Sequence, residues 1–312
     1  MKSVYIVWSV GTMNLGCEAV KPRRLVSGII SFLENMVYIR TMKRNARFAG
    51  LWYPDDPEEL LHIVSSRPRR AGDRDCRFAV LPHAGLYYSG ELIASFFAVL
   101  AKDIDHIVIV APSHYHYLKP GVLYTARFTE SETPLGTIPT VPLWTSRCIV
   151  DDQAIADEHA LEMFLPFIAA KKGISVSYGL VSQIAGMDGV KALAEDLSPL
   201  VGPRSGLIAS SDFTHYGRRF GHLPYGSGPD AVDNVVENDL SCADSLAKGD
   251  IADVLTRFAS SGTICGIAPA MVASRLAAMR NLSGHVDGHA VSLDKGGGRG
   301  DDFVSYVTIF WG

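Results

Sequence analysis

The chain has 312 residues, of which 47% are hydrophobic and 20% are charged, with 29 lysine and arginine residues against 33 aspartate and glutamate residues. These values are typical of a folded globular protein that is long enough to bury one large core. The net charge of −4 argues against nucleic acid or an anionic membrane as a partner, because both require a basic surface.

The first 41 residues show neither a helical nor a strand period, and we interpret them as an N-terminal extension. The folded domain is then expected to cover residues 42–312. The alternative interpretation is a short strand over residues 4–10 followed by a helix that docks on the domain. The uncharged apolar run over residues 25–33 is far shorter than the roughly 20 apolar residues that span a bilayer. We expect no membrane span and no export.

The cysteines also indicate a cellular compartment. They stand at an odd number of positions without any CxxC spacing, namely Cys17, Cys76, Cys148, Cys242 and Cys265. This pattern argues against a disulfide framework and against a zinc ribbon. Reduced thiols in a cytoplasmic protein are the simplest interpretation.

Strand and helix patterns alternate after residue 42. Residues 77–82 and 106–112 are short apolar runs of the kind found in buried strands. Residues 89–103, which lie between them, have the spacing of an amphipathic helix. A strand, a helix and a second strand form the crossover unit of a parallel sheet, so this region predicts an α/β fold.

The rest of the chain continues the α/β pattern. Turn residues dominate residues 120–142 and predict a loop with short hairpin strands. The later predicted elements are a buried helix over 158–172, a strand over 176–183, a helix over 188–201, a strand over 206–213, helices over 231–247 and 251–260, an alanine-rich helix that ends at 279, and strands over 285–293 and 303–311.

Three predicted strands end in residues that can bind a metal ion. His83 follows the first strand, His114 follows the second, and Asp212 and His215 stand at the end of the strand over 206–213. The carboxyl ends of parallel strands meet at one edge of a sheet, where ligands bind. Neutral imidazole is a ligand for iron, copper and zinc. Cys265 is the best candidate for a third ligand, because a helix N-terminus lowers the pKa of a thiol.

Each of these residues also has a purely structural interpretation. His83 fits a turn histidine, His114 a solvated loop, Cys265 a buried inert thiol, and Asp212 a cap. Their joint placement at strand ends favours a shared metal site.

Two further groups remain open from the sequence. His159 and Glu162 form an i, i+3 pair, which indicates either a cleft-facing acid or base at His159 or an ion pair at a helix end. Arg219, next to Arg218, indicates either an anion-binding group or a solvated turn.

Six ordered motifs resemble those of one family. They are ARFAGLWYP, PHAGLYYSG, APSHYHY, DEHALEMFLPF, SSDFTHYG and TICGIAP, and from residue 46 to the C-terminus they resemble the MEMO family, called AmmeMemoRadiSam system protein B in many bacteria and archaea. The resemblance implies a three-layer α/β/α fold with a central mixed sheet, like that of the class III extradiol dioxygenases. In those enzymes two histidines and a carboxylate hold non-haem Fe(II).

The resemblance also implies roles for residues. His83, His114 and Cys265 match the positions near the metal, which would be iron or copper, while Asp212, His215 and His159 are expected to line the cleft. His215 or His159 would then act as a general base, with Asp212 orienting it. Thiolate in place of carboxylate favours softer ions such as Cu(I) and is itself oxidisable, so the fold alone does not imply ring cleavage.

Two classes of function follow from these expectations. The first is a metal-dependent redox or dioxygenase-like enzyme. The alternative is a non-catalytic module that binds metal, a small molecule or a peptide in signalling or redox homeostasis. The family name associates such proteins with a radical SAM protein and an AMMECR1-type protein as partners. The chain has no CxxxCxxC motif and is therefore not the radical SAM component itself.

Overall fold

The structure is a computed structural model that describes residues 42–67, 73–145, 147–258, 263–296 and 302–312. The expected extension over residues 1–41, and its alternative interpretation as a docked strand and helix, lie outside the described residues. Met42–Gly312 form one unit of the chain.

The described strands follow the apolar runs of the sequence. They are β1 (Lys43–Arg44), β2 (Phe78–Leu81), β3 (His106–Ala111), β4 (Leu123–Thr125), β5 (Glu130–Thr133), β6 (Gly136–Pro139), β7 (Ile149–Val150), β8 (Ser175–Val181), β9 (Ser205–Ser210), β10 (His215–Tyr216), β11 (Gly284–Val291) and β12 (Phe303–Trp311). Most of the predicted strands are confirmed within two or three residues, which is the usual uncertainty of element ends.

The described helices are α1 (Pro57–Val64), α2 (Leu86–Val99), α3 (Asp152–Asp157), α4 (His159–Glu162), α5 (Leu165–Lys171), α6 (Gly186–Leu197), α7 (Pro229–Lys248), α8 (Ile251–Arg257) and α9 (Ile267–Met279). None of these helices is both long enough and apolar enough to cross a membrane.

The central sheet is mixed. Its strand order is β10-β12-β2-β9-β3-β8-β4-β7, and β11 pairs with β12. The middle strands β2, β9, β3 and β8 are parallel, while β12 and β4 flank them in the antiparallel direction. A smaller sheet joins β1 to the β5–β6 hairpin, which the turn residues around it predicted.

Helices cover both faces of the central sheet. On β3, Ile107 and Ile109 belong to a core that contains residues of α2 and α5. Val108 and Val110 point the other way, into a core formed with α6, α7 and α9. Burial of each such side chain stabilises the fold by about 1.5–3 kcal/mol relative to exposure. The expected three-layer α/β/α architecture is therefore confirmed.

The prediction of one continuous helix over residues 158–172 is wrong. The chain forms α4 and then α5, with Pro166 in the first turn of α5. Proline lacks a backbone N–H and its ring clashes with the carbonyl four residues earlier, so it belongs at a helix start. The apolar residues on both sides of this segment are buried, as predicted, but they lie in two short helices and in the two residues that join them.

Candidate metal centre

The sheet brings the ends of three strands together. Leu81 at the end of β2 is paired with Ser210 at the end of β9, and β9 in turn lies beside β3. The segments that follow these strands therefore leave the sheet at one edge. They carry His83, Asp212 and His114, so the placement expected from the sequence is confirmed.

Two imidazoles and one sulfur converge at this edge. One potential donor atom from each of His83, His114 and Cys265 lies within 4.8 Å of the others. The Cys265 Sγ is 3.3 Å from the His83 Nε2, and the two imidazole ring centres are 5.0 Å apart. Two donors around one tetrahedral ion are about 3.5 Å apart. The three residues are thus close to the spacing that a single ion requires.

A serine fixes the tautomer of His83. The Ser210 hydroxyl donates its hydrogen to the Ala160 carbonyl oxygen at 2.7 Å, so it accepts from the His83 Nδ1, also at 2.7 Å. Nδ1 then carries the proton, and the Nε2 lone pair faces the sulfur of Cys265. Burial, with a further contribution from the neighbouring His114, lowers the pKa of His83 well below its usual value, so the ring is neutral.

A buried carboxylate fixes His114 in the same way. The Glu158 Oε1 lies 2.8 Å from the His114 Nδ1, and the Oε2 accepts from the His114 backbone N–H at 2.6 Å. Burial tends to raise the pKa of Glu158, but the contacts with His114 and His159 outweigh it and lower the pKa to about 2. An ionised carboxylate only accepts, so the Nδ1 of His114 is protonated and its Nε2 is free to bind metal.

The pKa of Cys265 differs from the expectation. Burial, and then the charge of Asp212, raise the pKa of the thiol well above its usual value. The residue keeps part of its surface exposed, yet protein atoms surround the sulfur closely. Gly266 is the N-cap of α9, so Cys265 lies before the first turn rather than within it. A backbone contact with Gly266 lowers the pKa, but burial and Asp212 outweigh it, so the predicted net lowering is wrong. The thiolate then requires a cation beside it.

Asp212 supports the main chain of His83. Its side chain is buried, and its Oδ1 accepts from the His83 backbone N–H at 2.8 Å. Burial raises the pKa of this carboxyl above its usual value. His215, by contrast, directs its Nδ1 at the carbonyl oxygens of Phe213 and Thr263, at 3.1 and 3.2 Å. These carbonyls, rather than Asp212, orient the ring of His215, and its role as a base stays a prediction.

His159 lies against His83 and His114, as the cleft-facing interpretation predicts. Its ring centre is 4.5 Å from that of His114 and 5.3 Å from that of His83, and Trp52 packs on it at 4.2 Å. Its Nδ1 is 3.1 Å from the Glu158 Oε1 without the alignment of a hydrogen bond.

The suggested pairing of His159 with Glu162 is wrong. Glu162 instead accepts from the guanidinium of Arg44 at 2.5 Å, and both side chains are fully buried. Sequence reasoning also missed Glu158. The sequence feature that could have identified Glu158 is its position immediately before His159 in the DEHALE motif. An acidic residue there can cap the short helix that follows. Its side chain does accept from the Ala160 backbone N–H.

Arg219 is exposed and stands outside the donor cluster. Its backbone N–H donates to Asp302 at 3.1 Å, and its guanidinium lies 5.8 Å from the ring centre of Phe220. This environment agrees with a solvated turn, and the anion-binding role of Arg219 stays a prediction.

Comparison with known proteins identifies the family of the chain. Residues 44–310 match the family model described as Memo-like protein. A MEMO1 family protein of Thermoplasma volcanium is 30% identical over 86% of this chain and 98% of its own length. One from Methanosarcina acetivorans is 30% identical over 77% of this chain and 88% of its own. The memo-1 homolog of Caenorhabditis elegans is 29% identical over 73% and 69%. The chain therefore belongs to the Memo-like protein family.

Proposed function

We propose that the chain binds iron or copper through His83, His114 and Cys265 and that the site supports redox chemistry. One observation carries the proposal. Three potential metal ligands from segments far apart in sequence lie close together. The Nδ1 of each of the two imidazoles is hydrogen-bonded to an acceptor, which leaves Nε2 for a metal ion. Such outer contacts are usual for histidines that bind metal, because they fix the ring and leave the other nitrogen free.

The donor set suits a transition metal. Two imidazoles and one thiolate match the preferences of iron and copper and leave coordination positions for a small ligand. A bound iron or copper ion would supply electron transfer and a site for that ligand. The protein would supply the rest. Ser210 and Glu158 hold the imidazoles, and His159 and His215 are the groups in place to accept or donate a proton.

The Cys265→Ala variant is expected to lose most of its metal. The full chain would be purified without oxygen, and its iron and copper would be measured by elemental analysis. Removal of the sulfur leaves only two protein ligands at the site, which is too few to retain the ion through purification. Cys148→Ala is the matched control, since Cys148 is also a partly buried free thiol but lies outside the cluster. Full metal retention by Cys265→Ala would contradict the proposal.

The Glu158→Gln variant is expected to bind metal about 10- to 100-fold more weakly, because the amide no longer fixes the His114 ring as a carboxylate does. The measurement is competition for the metal with a chelator. Asp157→Asn is a close control, because Asp157 pairs with the His116 Nε2 at 2.8 Å but does not reach the cluster. Equal losses in the two variants would show that Glu158 has no special role.

The alternative function, a non-catalytic module for metal, a small molecule or a peptide, predicts a different outcome. Wild-type protein that retains metal but shows no change of metal oxidation state with oxygen or a reductant would favour it. The association with a radical SAM protein and an AMMECR1-type protein, and the cytoplasmic location, stay predictions of the sequence.

A further inference from the structure

A second feature lies directly beside the candidate metal centre. An open pocket of about 540 Å³ extends from Cys265 between the end of β8 and the start of α9. This volume is within the roughly 300–1,000 Å³ of small-molecule sites in proteins. Ser113, which directly precedes His114 in the chain, also lines the pocket. Because Cys265 is itself a lining residue, the pocket is contiguous with the candidate metal centre.

The lining of the pocket has no fixed charge. Ile184, Ile267 and Met271 supply apolar surface, while Ser113 and Gln183 supply a hydroxyl and an amide. Among the described residues that line it, none is an aspartate, glutamate, lysine, arginine or histidine. In the metal-free protein, an ion that entered the pocket would lose hydration without gaining a side chain of opposite charge, which is unfavourable. A neutral molecule would exchange water for apolar contacts and a few hydrogen bonds.

We propose that this pocket binds a neutral small molecule that combines apolar surface with hydrogen-bonding groups, because its lining offers both. That the pocket binds such a molecule is argued from its lining residues alone. That this molecule is a substrate rests on the proposed function. The Cys265 Sγ lies 3.3 Å from the His83 Nε2, so a ligand atom that touches the sulfur from the pocket lies next to the metal donors. In the metal-free protein, an anionic ligand finds no cationic side chain among the described lining residues, so the proposal excludes it there.

A matched pair of fluorescent dyes tests the ligand class. N-phenyl-1-naphthylamine is neutral, and 8-anilinonaphthalene-1-sulfonate has the same aromatic skeleton with an added sulfonate. Each would be titrated against the metal-free full chain. The neutral dye is expected to bind at least about tenfold more tightly, because only the anionic dye must bury a charge. Equal or tighter binding of the sulfonate would overturn the proposal.

Two variants test the location. Ile184→Glu places a carboxylate in the pocket and is expected to weaken binding of the neutral dye at least about tenfold. Ile149→Glu is the control, because Ile149 is a 39% exposed isoleucine outside the pocket. Gln183→Glu, at an exposed residue of the rim, repeats the test if Ile184→Glu does not fold. Dye binding that is unchanged in Ile184→Glu, or in Gln183→Glu when that variant is needed, would overturn the proposal.

The Cys265→Ala variant separates the two proposals. It is expected to lose its metal, while Ile184→Glu is expected to lose the dye, and this pair of results supports both proposals. If it keeps its metal while Ile184→Glu loses the dye, the metal centre fails and the pocket stands. If it loses its metal while Ile184→Glu still binds the dye as wild type does, the pocket fails and the metal centre stands.

Discussion

The Gly266→Ala variant is expected to lose more than about 3 kcal/mol of unfolding free energy, above the usual cost of overpacking. A Cβ at this position would lie 2.1 Å from the Ser210 carbonyl oxygen and 2.5 Å from the Ser211 Cβ. Ser210 ends β9, Ser211 follows it directly, and both are buried, so the contact cannot be relieved by rotating a flexible side chain. Either the main chain of α9 or that of β9 must move. Unfolding in denaturant would measure the loss.

The same variant is expected to disturb the candidate metal centre. Cys265 precedes Gly266 directly, and the Ser210 hydroxyl orients His83, so a shift of either segment changes the distance between sulfur and imidazole. We expect the variant to retain less metal at temperatures where it is still folded.

Gly202→Ala is the control for this substitution. The nearest atom to its new Cβ would be the Ser205 Oγ at 3.7 Å, an ordinary contact. Its stability should stay within about 1 kcal/mol of the wild type. A Gly266→Ala protein with that same small change would show that the close approach of α9 to β9 is not required.

The position of the donors was predictable from the sequence for a simple reason. Apolar runs of strand length mark β2, β3 and β9, and parallel strands end at one edge of a sheet. His83, His114 and Asp212 follow these runs directly, so their convergence needed no knowledge of side-chain contacts.

The orientation of the donors was not predictable, because it depends on contacts between distant segments. Ser210 and Glu158 have no local pattern that assigns them to His83 and His114. The pKa of Cys265 was misjudged because proximity to a helix start was visible in the sequence, while the packing around the sulfur was not. The helix over residues 158–172 was wrong because its apolar pattern outweighed the signal of Pro166 in the prediction.

Arg44 was also missed, since it stands in a basic stretch of the sequence that is typical of an exposed segment. Its guanidinium donates to Glu162 at 2.5 Å and to the carbonyl oxygens of Ile155 and Glu158 at 3.2 and 3.0 Å. Glu162 in turn accepts from the Phe48 backbone N–H at 2.7 Å. The ion pair is therefore fully buried, yet both of its charged groups have several hydrogen-bond partners. Through the bonds to Ile155 and Glu158, it also holds the segment that carries Glu158.

The Arg44→Met variant is expected to lose about 3–5 kcal/mol of unfolding free energy, because it leaves the Glu162 carboxylate buried without a cation. The double variant Arg44→Met with Glu162→Gln is expected to lose less than the sum of the two single variants, since it removes both charges together. Arg127→Met is the control, because Arg127 forms a similar 2.5 Å pair with Asp152 at the surface, where water screens it, and its effect should be much smaller. Additive losses in the double variant, or equal losses for Arg44 and Arg127, would show that the buried pair contributes no more than an exposed one.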